Sequence, residues 1–351
     1  MLCPNMRTHA LRRYFFCMLI VSGGLNLACE SDLARRISKY EQTRDYESAA
    51  QLLRRTTKNS PENAEAHFLL GRVQLQQGAY EDAVAALETS KDLSPRFEEQ
   101  IDFLREKYGR DEFQEGKEAS QSGSHRAARQ HYKSATLLLP SSAPAHQALG
   151  HTFVQTDQPE KAERAYSDAL ELEATAETLN NLAALAFQRE AYSETVQYSQ
   201  QALELNSDKA QQSRPAVVKR LAYAHLELDQ FSSARERFRH ALKLDPSNEL
   251  RRDFAFALHR NEAYKEARSH LEQLAAAESP DRTVLHLLGD TYLTLSRHQD
   301  AVDTYLRLHQ QYPEDEDALQ SLIIAYRNLD RTGQAQEYTD QLETLTDGDS
   351  R

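Results

Sequence analysis

From residue 30 onward, apolar and small residues recur at the three- and four-residue spacing of amphipathic helices, with short polar turns between them. The clearest stretch is residues 64–97, which places Leu70-Gly71 in a first helix, Gly78 in a turn and Tyr80 at the start of a second helix. A single pair of amphipathic helices cannot bury its apolar face alone. The pattern therefore predicts an all-α protein made of stacked helical hairpins.

The same register recurs about every 34 residues, which indicates internal repeats. Nine copies account for 306 of the 322 residues that follow Cys29, so almost no chain is left for a separate catalytic domain. The predicted copies are residues 30–63, 64–97, 109–142, 143–176, 176–209, 215–248, 248–281, 282–315 and 316–349.

The repeat resembles the tetratricopeptide repeat (TPR). Its positions 7 and 8 hold Leu-Gly, position 15 Gly, position 17 Tyr, position 20 Ala, position 24 a large residue and position 32 Pro, as in residues 64–97. The resemblance implies a right-handed α-solenoid with a concave groove. Small residues at positions 8, 20 and 27 let the two helices approach closely, and Pro at position 32 ends the second helix.

Three segments depart from the period. Residues 209–214 form a polar insert between the fifth and sixth repeats, which predicts a longer loop or a lengthened helix. Residues 98–108 carry Ile101, Leu104 and Tyr108 at helical spacing, which predicts either an extension of the next repeat's first helix or a short additional helix. A hinge or docking element is the functional alternative for this insert. The solenoid is predicted to span residues 29–349. Residues 346–351 are polar and are predicted to form a frayed tail at its C-terminal end.

Residues 1–28 have the pattern of a secretory signal. Three arginines and no acidic residue precede the short apolar run at 14–21, which is too short for a membrane-spanning helix. Arg12-Arg13 also fits a twin-arginine export motif, and Met6 is an alternative start.

The segment Leu25-Asn26-Leu27-Ala28-Cys29 resembles a bacterial lipobox. Ala28 fits the family pattern, whereas Asn26 stands where Leu is usual. The resemblance implies lipidation of Cys29 and a chain anchored in the bacterial envelope, facing the periplasm from the inner or outer membrane. Ordinary cleavage near Ala28 and an uncleaved N-terminal anchor are the alternatives.

Composition narrows the possible functions. All three cysteines lie at or before Cys29, so the rest of the chain can form neither disulfides nor thiolate metal sites. Without residues 1–28 the chain has 39 basic and 54 acidic residues, a formal net charge of −15. This balance argues against a nucleic-acid partner.

The sequence contains no recognisable catalytic motif. A glycine-rich phosphate loop, a His-Glu-x-x-His helix and a Gly-x-Ser-x-Gly elbow are all absent, and histidines do not occur three or four residues apart on a helix. We therefore predict neither an enzyme nor a metal or other cofactor.

In the TPR family the groove is lined by positions 2, 5, 9, 12 and 13 of each first helix, which we call the groove positions. Here they carry a mildly basic and aromatic set in an acidic chain, which favours an extended acidic or amide-rich protein segment as the ligand. The candidate binding residues are Phe68, Arg72, Phe113, Lys117, His151, Phe187, Lys219, Tyr223, Arg252, Phe256, Arg260 and Arg327.

These patterns predict a non-catalytic, lipid-anchored protein-interaction scaffold that supports assembly of an envelope or secretion complex. A glycan-binding subunit of an exopolysaccharide export system, with an anionic glycan as ligand, is the alternative.

One subtype of the family, the carboxylate clamp, binds the C-terminus of a chaperone. It requires Lys at position 5 and Asn at position 9 of one repeat, whereas here Lys219 is followed by Tyr223 at position 9. The sequence therefore argues against a cytosolic co-chaperone.

Overall fold

The computed structural model of the chain describes residues 31–205 and 214–348. Within these ranges the regular structure consists of 18 α-helices and one 3-10 turn, with no strand. The predicted signal segment 1–28, the lipidation residue Cys29 and residues 209–213 of the polar insert lie outside the described residues. So do residues 349–351, whereas the last helix continues through Gly348 and includes the first part of the predicted tail.

Contacts between Cα atoms divide the chain into two compact units at Gln158 and Pro159. The helices of the first unit are α1 (Asp32–Gln42), α2 (Tyr46–Asn59), α3 (Ala64–Gln76), α4 (Tyr80–Leu93), α5 (Glu98–Gln121), α6 (His125–Leu138) and α7 (Ala143–Gln155), with the 3-10 turn at Pro95–Phe97.

The second unit continues the alternation of two helices per repeat. Its helices are α8 (Pro159–Leu172), α9 (Ala176–Gln188), α10 (Tyr192–Leu205), α11 (Arg214–Glu227), α12 (Phe231–Leu244), α13 (Asn248–Arg260), α14 (Tyr264–Ala275), α15 (Arg282–Thr294), α16 (His298–Gln311), α17 (Glu316–Arg327) and α18 (Thr332–Gly348).

The turn between the two helices of each repeat has one left-handed residue, and it always falls at repeat position 15. In two repeats this residue is glycine, as the TPR pattern favours, and in the other seven it is not. The nine residues are Arg44, Gly78, Gly123, Asp157, Glu190, Asp229, Glu262, Ser296 and Asp330. The shared backbone conformation shows that all nine repeats keep one register.

First helices of several repeats begin at a side-chain cap. The Asn63 carboxamide accepts a hydrogen bond from the backbone N–H of Ala66 at 3.0 Å, and Asp315 accepts one from Ala318 at 3.1 Å. Capping satisfies backbone donors that a helix start leaves unpaired, so these polar residues fix where the first helices begin.

Close packing of the two helices within a repeat depends on a small residue at position 8 and a large one at position 24. A Cβ added to Gly116 would lie 2.8 Å from the Tyr132 ring, and one added to Gly71 would lie 2.7 Å from Leu87 Cδ2. Neighbouring repeats also pack by stacking: the Phe238 and Phe254 rings lie 5.2 Å apart at 12°. Both rings are fully buried in the core of the second unit.

Residues 98–108 form the N-terminal part of α5, a continuous helix of 24 residues. Of the two predicted forms, the structure has the extension of the first helix. Ile101 is fully buried, and Arg105 donates through Nε to the Leu138 carbonyl at 3.1 Å and through Nη2 to the Leu137 carbonyl at 3.3 Å. The extension therefore satisfies unpaired carbonyl groups at the end of α6.

Candidate functional site

In the first unit, the groove positions of repeat two are occupied by contacts within the protein. Phe68 is only 8% exposed and stacks on Phe97 at 4.8 Å and 12°. Arg72 donates to both carboxylate oxygens of Glu41, at 3.0 and 2.9 Å. The expectation that these two side chains face a ligand needs correction: Phe68 is covered by the 3-10 turn, and the charge of Arg72 is neutralised by the preceding repeat.

Repeat three presents a more open surface. Phe113 is half-buried with its ring 5.6 Å from that of Tyr132, and Lys117 is exposed. An open hollow of about 650 Å³ is lined by the groove positions Arg110, Phe113 and Pro144, among others. The structure therefore brings groove positions of repeats three and four together. His151, also at a groove position, is exposed on α7.

In the second unit, Lys219 and Tyr223 belong to one polar network. The Lys219 ammonium lies 5.8 Å from the centre of the Tyr223 ring and 3.9 Å from Glu249 Oε1. The Tyr223 hydroxyl donates to Asp253, and burial together with this hydrogen bond raises the pKa of Tyr223. The phenol therefore stays protonated over the whole physiological range.

Repeat seven supplies the acids of this network, and sequence reasoning missed their role. Arg252 Nε lies 4.0 Å from Asp253 Oδ1, so the acid faces both a groove arginine and the Tyr223 hydroxyl. Glu249 occupies groove position 2 and lies beside Lys219, so the groove is less basic here than its cations alone suggest.

The remaining candidates of the second unit differ in exposure. Phe187 is half-buried, with its ring edge-on to Tyr192 at 5.6 Å, and Phe256 is half-buried against the core. Arg260 and Arg327 are exposed at the ends of α13 and α17. Within residues 31–205 and 214–348, no acid lies within ion-pair distance of Lys117, Arg260 or Arg327, so these three charges are available to a ligand.

Comparison with known families supports the repeat fold. The family model described as tetratricopeptide repeat matches residues 37–96 and 219–283, and a second model of the same description matches residues 143–175. These matches fall in both units and coincide with the helical pairs and left-handed turns described above. The chain is a tetratricopeptide-repeat protein. The predicted TPR resemblance and the helical-repeat solenoid fold are thereby confirmed.

A third model, the bacterial transcriptional activator domain, matches residues 253–348 of this TPR protein. The matched segment covers the helices from α13 to α18, which continue the same hairpin repeat. It covers well under half of the chain and carries no assignment of function.

One characterised relative of this TPR protein is the type IV pilus assembly protein PilF of Pseudomonas aeruginosa. It is 28% identical over 198 residues, which cover 55% of this chain and 76% of PilF. A solved PilF structure aligns with 62% of this chain and 97% of its own, at 24% identity and a TM-score of 0.43. The structure of YrrB, described as a TPR protein with an unusual peptide-binding site, aligns with 54% of this chain and 96% of its own, at 18% identity and a TM-score of 0.47.

Among the residues that the structure describes, none of the helices combines the length and the apolar content that crossing a membrane requires.

Proposed function

We propose that this TPR protein is a non-catalytic scaffold that binds an extended segment of a partner protein along its groove positions. The observation that carries the proposal is the set of exposed, unpaired cations at those positions, in a chain whose overall charge is −12. Such charges attract an acidic or amide-rich segment, and Arg offers paired N–H donors to a carboxylate.

The paired groove residues have a different role in this proposal. Arg72, Lys219 and Arg252 each lie within 4.0 Å of a carboxylate, and Tyr223 donates to one. Arg72, Lys219 and Tyr223 join neighbouring repeats through these contacts, and Arg252 pairs within its own helix. The exposed Lys117, Arg260 and Arg327 contact the ligand.

A part in assembling an envelope or secretion complex is supported by the similarity to PilF, which is named for type IV pilus assembly. We propose that this chain belongs to the same broad class of assembly proteins. Two features of the sequence support a non-catalytic role. It contains no recognisable catalytic motif, and the repeats take up nearly all of the chain after Cys29.

The anchor is proposed from sequence alone. The lipobox-like segment ending at Cys29 predicts an acylated N-terminus that holds the repeats at the periplasmic side of an envelope membrane. Metabolic labelling with a fatty-acid analogue tests it: the wild-type chain incorporates label and Cys29→Ser does not. Equal labelling of Cys29→Ser, or membrane fractionation that the substitution leaves unchanged, contradicts the anchor.

Photo-cross-linking in the native host tests the groove. A photoreactive residue replaces Phe256, and protein adducts are compared with those of a chain that also carries Arg260→Glu and Arg327→Glu. We expect defined protein adducts that the charge reversals abolish. Adducts that survive both reversals unchanged would overturn the groove assignment, and adducts that contain only glycan would favour the exopolysaccharide alternative.

A further inference from the structure

Outside the groove positions, three metal-ligating side chains converge between α5 and α6. Glu112 and Glu115 lie three residues apart on one face of α5, and His131 faces them from α6. His131 Nδ1 lies 2.9 Å from Glu112 Oε2 and 3.4 Å from Glu115 Oε2. One ligand atom from each of the three residues falls within 4.8 Å of the others.

The spacing suits a small divalent transition metal. Ligand atoms about 2.0–2.2 Å from a tetrahedral ion are separated from each other by roughly 3.3–3.5 Å. The distance between Glu115 and His131 already has this value. The distance between Glu112 and His131 needs to open by only about half an ångström, which a carboxylate rotation achieves.

Glu112 differs from an ordinary surface acid because it is buried and held by a hydrogen bond, and both features support a metal site. Its side chain is 10% exposed, and the Tyr80 hydroxyl donates to its Oε1 at 2.6 Å. This hydrogen bond fixes the carboxylate and leaves Oε2 directed at His131. Metal-binding carboxylates are commonly oriented by such a partner.

Exposure differs among the three ligands in a way that allows an ion to enter. The side chains of His131 and Glu115 are 32% and 59% exposed, so the site is open to solvent at these two residues. Two carboxylates and a neutral imidazole also balance a charge of +2, and three ligands leave a fourth position for water.

We propose that Glu112, Glu115 and His131 bind a zinc-class divalent cation that links the two helices of repeat three. One imidazole nitrogen and two carboxylate oxygens form a mixed donor set that favours Zn²⁺ over Mg²⁺, which prefers oxygen ligands in an octahedron. The inference is independent of the proposed scaffold function, because none of the three residues occupies a groove position.

Titration calorimetry on the full chain, in detergent and stripped with a chelator, tests the proposal with Zn²⁺ as the probe. We expect one Zn²⁺ per chain, no heat with Mg²⁺, and a Zn²⁺-dependent rise in the thermal midpoint. Tyr80→Phe should weaken binding by about 10- to 100-fold, as is typical when the partner of a ligand is removed. His131→Asn and Glu115→Gln should weaken it at least as much.

Glu118→Gln is the matched control, because Glu118 lies exposed on the same helix α5 and outside the cluster. Zn²⁺ affinity should be unchanged in this variant. Glu115 is exposed enough for Glu115→Gln to fold normally, which circular dichroism in chelator verifies. A wild-type chain that does not bind Zn²⁺, or an affinity that Glu115→Gln and His131→Asn leave unchanged, would overturn the proposal.

Discussion

Gly289 in α15 packs directly against the ring of Tyr305 in α16. A Cβ built on Gly289 would lie 2.8 Å from Cε2 of Tyr305 and closer still to two other ring atoms. The ring cannot move aside easily, because Tyr305 is fully buried and its hydroxyl donates to Asp290 Oδ1 at 2.5 Å. Position 8 of this repeat therefore admits no side chain.

Gly289→Ala should lower the free energy of unfolding by about 1–3 kcal/mol, the usual cost of an added methyl group in a well-packed core. Urea unfolding followed by circular dichroism measures the change. Gly333→Ala in α18 is the matched control. Apart from its own helix backbone and chain neighbours, no atom of the described residues lies within 4 Å of its added Cβ, so the substitution should be neutral or slightly stabilising. Equal effects at the two glycines would contradict the packing argument.

Glycine at the non-glycine left-handed turns should stabilise the chain. Glu190 and Glu262 both have φ of 60°, a conformation that is unfavourable by about 1–2 kcal/mol for residues with a Cβ. Glycine removes that conformational cost, but it also loses more backbone entropy on folding, which offsets part of the gain. Glu190→Gly and Glu262→Gly should therefore each raise the free energy of unfolding by about 0.5–1 kcal/mol. Gly78→Ala, at the same turn position with φ of 72°, should destabilise. Denaturant midpoints measure all three, and a loss of stability in both glycine variants would refute the argument.

Asp315 joins two repeats through its buried carboxylate. Its side chain is 1% exposed and accepts hydrogen bonds from Arg282 Nε at 2.6 Å and His286 Nε2 at 2.9 Å, besides capping α17. Asp315→Ala should cost about 2–4 kcal/mol, since it removes the cap and leaves charge-assisted hydrogen bonds unmade. Asp317→Ala, a 77% exposed neighbour, should change stability by less than about 0.5 kcal/mol. Similar costs at both positions would contradict the assigned role.

The same carboxylate should make stability depend on acid pH. Burial raises the pKa of Asp315, but hydrogen bonds from Arg282, His286 and the Ala318 N–H outweigh this effect and hold the pKa well below its usual range. The unfolded state then binds this proton more readily, so the contribution is fully present above about pH 4 and is lost as pH falls further. The stability difference between wild type and Asp315→Asn should therefore shrink between pH 6 and pH 3. A constant difference would contradict the low pKa.

The repeat register could be predicted from sequence because it depends on local signals. Leu70-Gly71 and Tyr80 mark a hairpin on their own, and the structure places α3 and α4 around them. Turn position 15 was recognisable only at Gly78 and Gly123, because the other seven repeats adopt the same left-handed conformation with residues that do not favour it. The conformation therefore follows the repeat position and not the residue type, and no single turn sequence reveals it.

Side-chain pairing between repeats could not be predicted in the same way. Arg72 was recognisable as a groove cation, but its partner Glu41 lies 31 residues away, and which side chains meet depends on how the repeats stack. The cluster of Glu115 and His131 was missed for a similar reason. These residues belong to different helices, and spacing along a single helix does not reveal a pair of that kind.

We propose that exposed cations at the groove positions bind the partner. With a photoreactive residue at position 256 in the native host, protein adducts should fall about tenfold or more when Arg260→Glu and Arg327→Glu are introduced together. Lys243→Glu with Lys265→Glu makes the same change in net charge at exposed sites on α12 and α14, and should leave the adducts unchanged. Equal losses in both double variants, or no loss in either, would contradict binding at the groove positions.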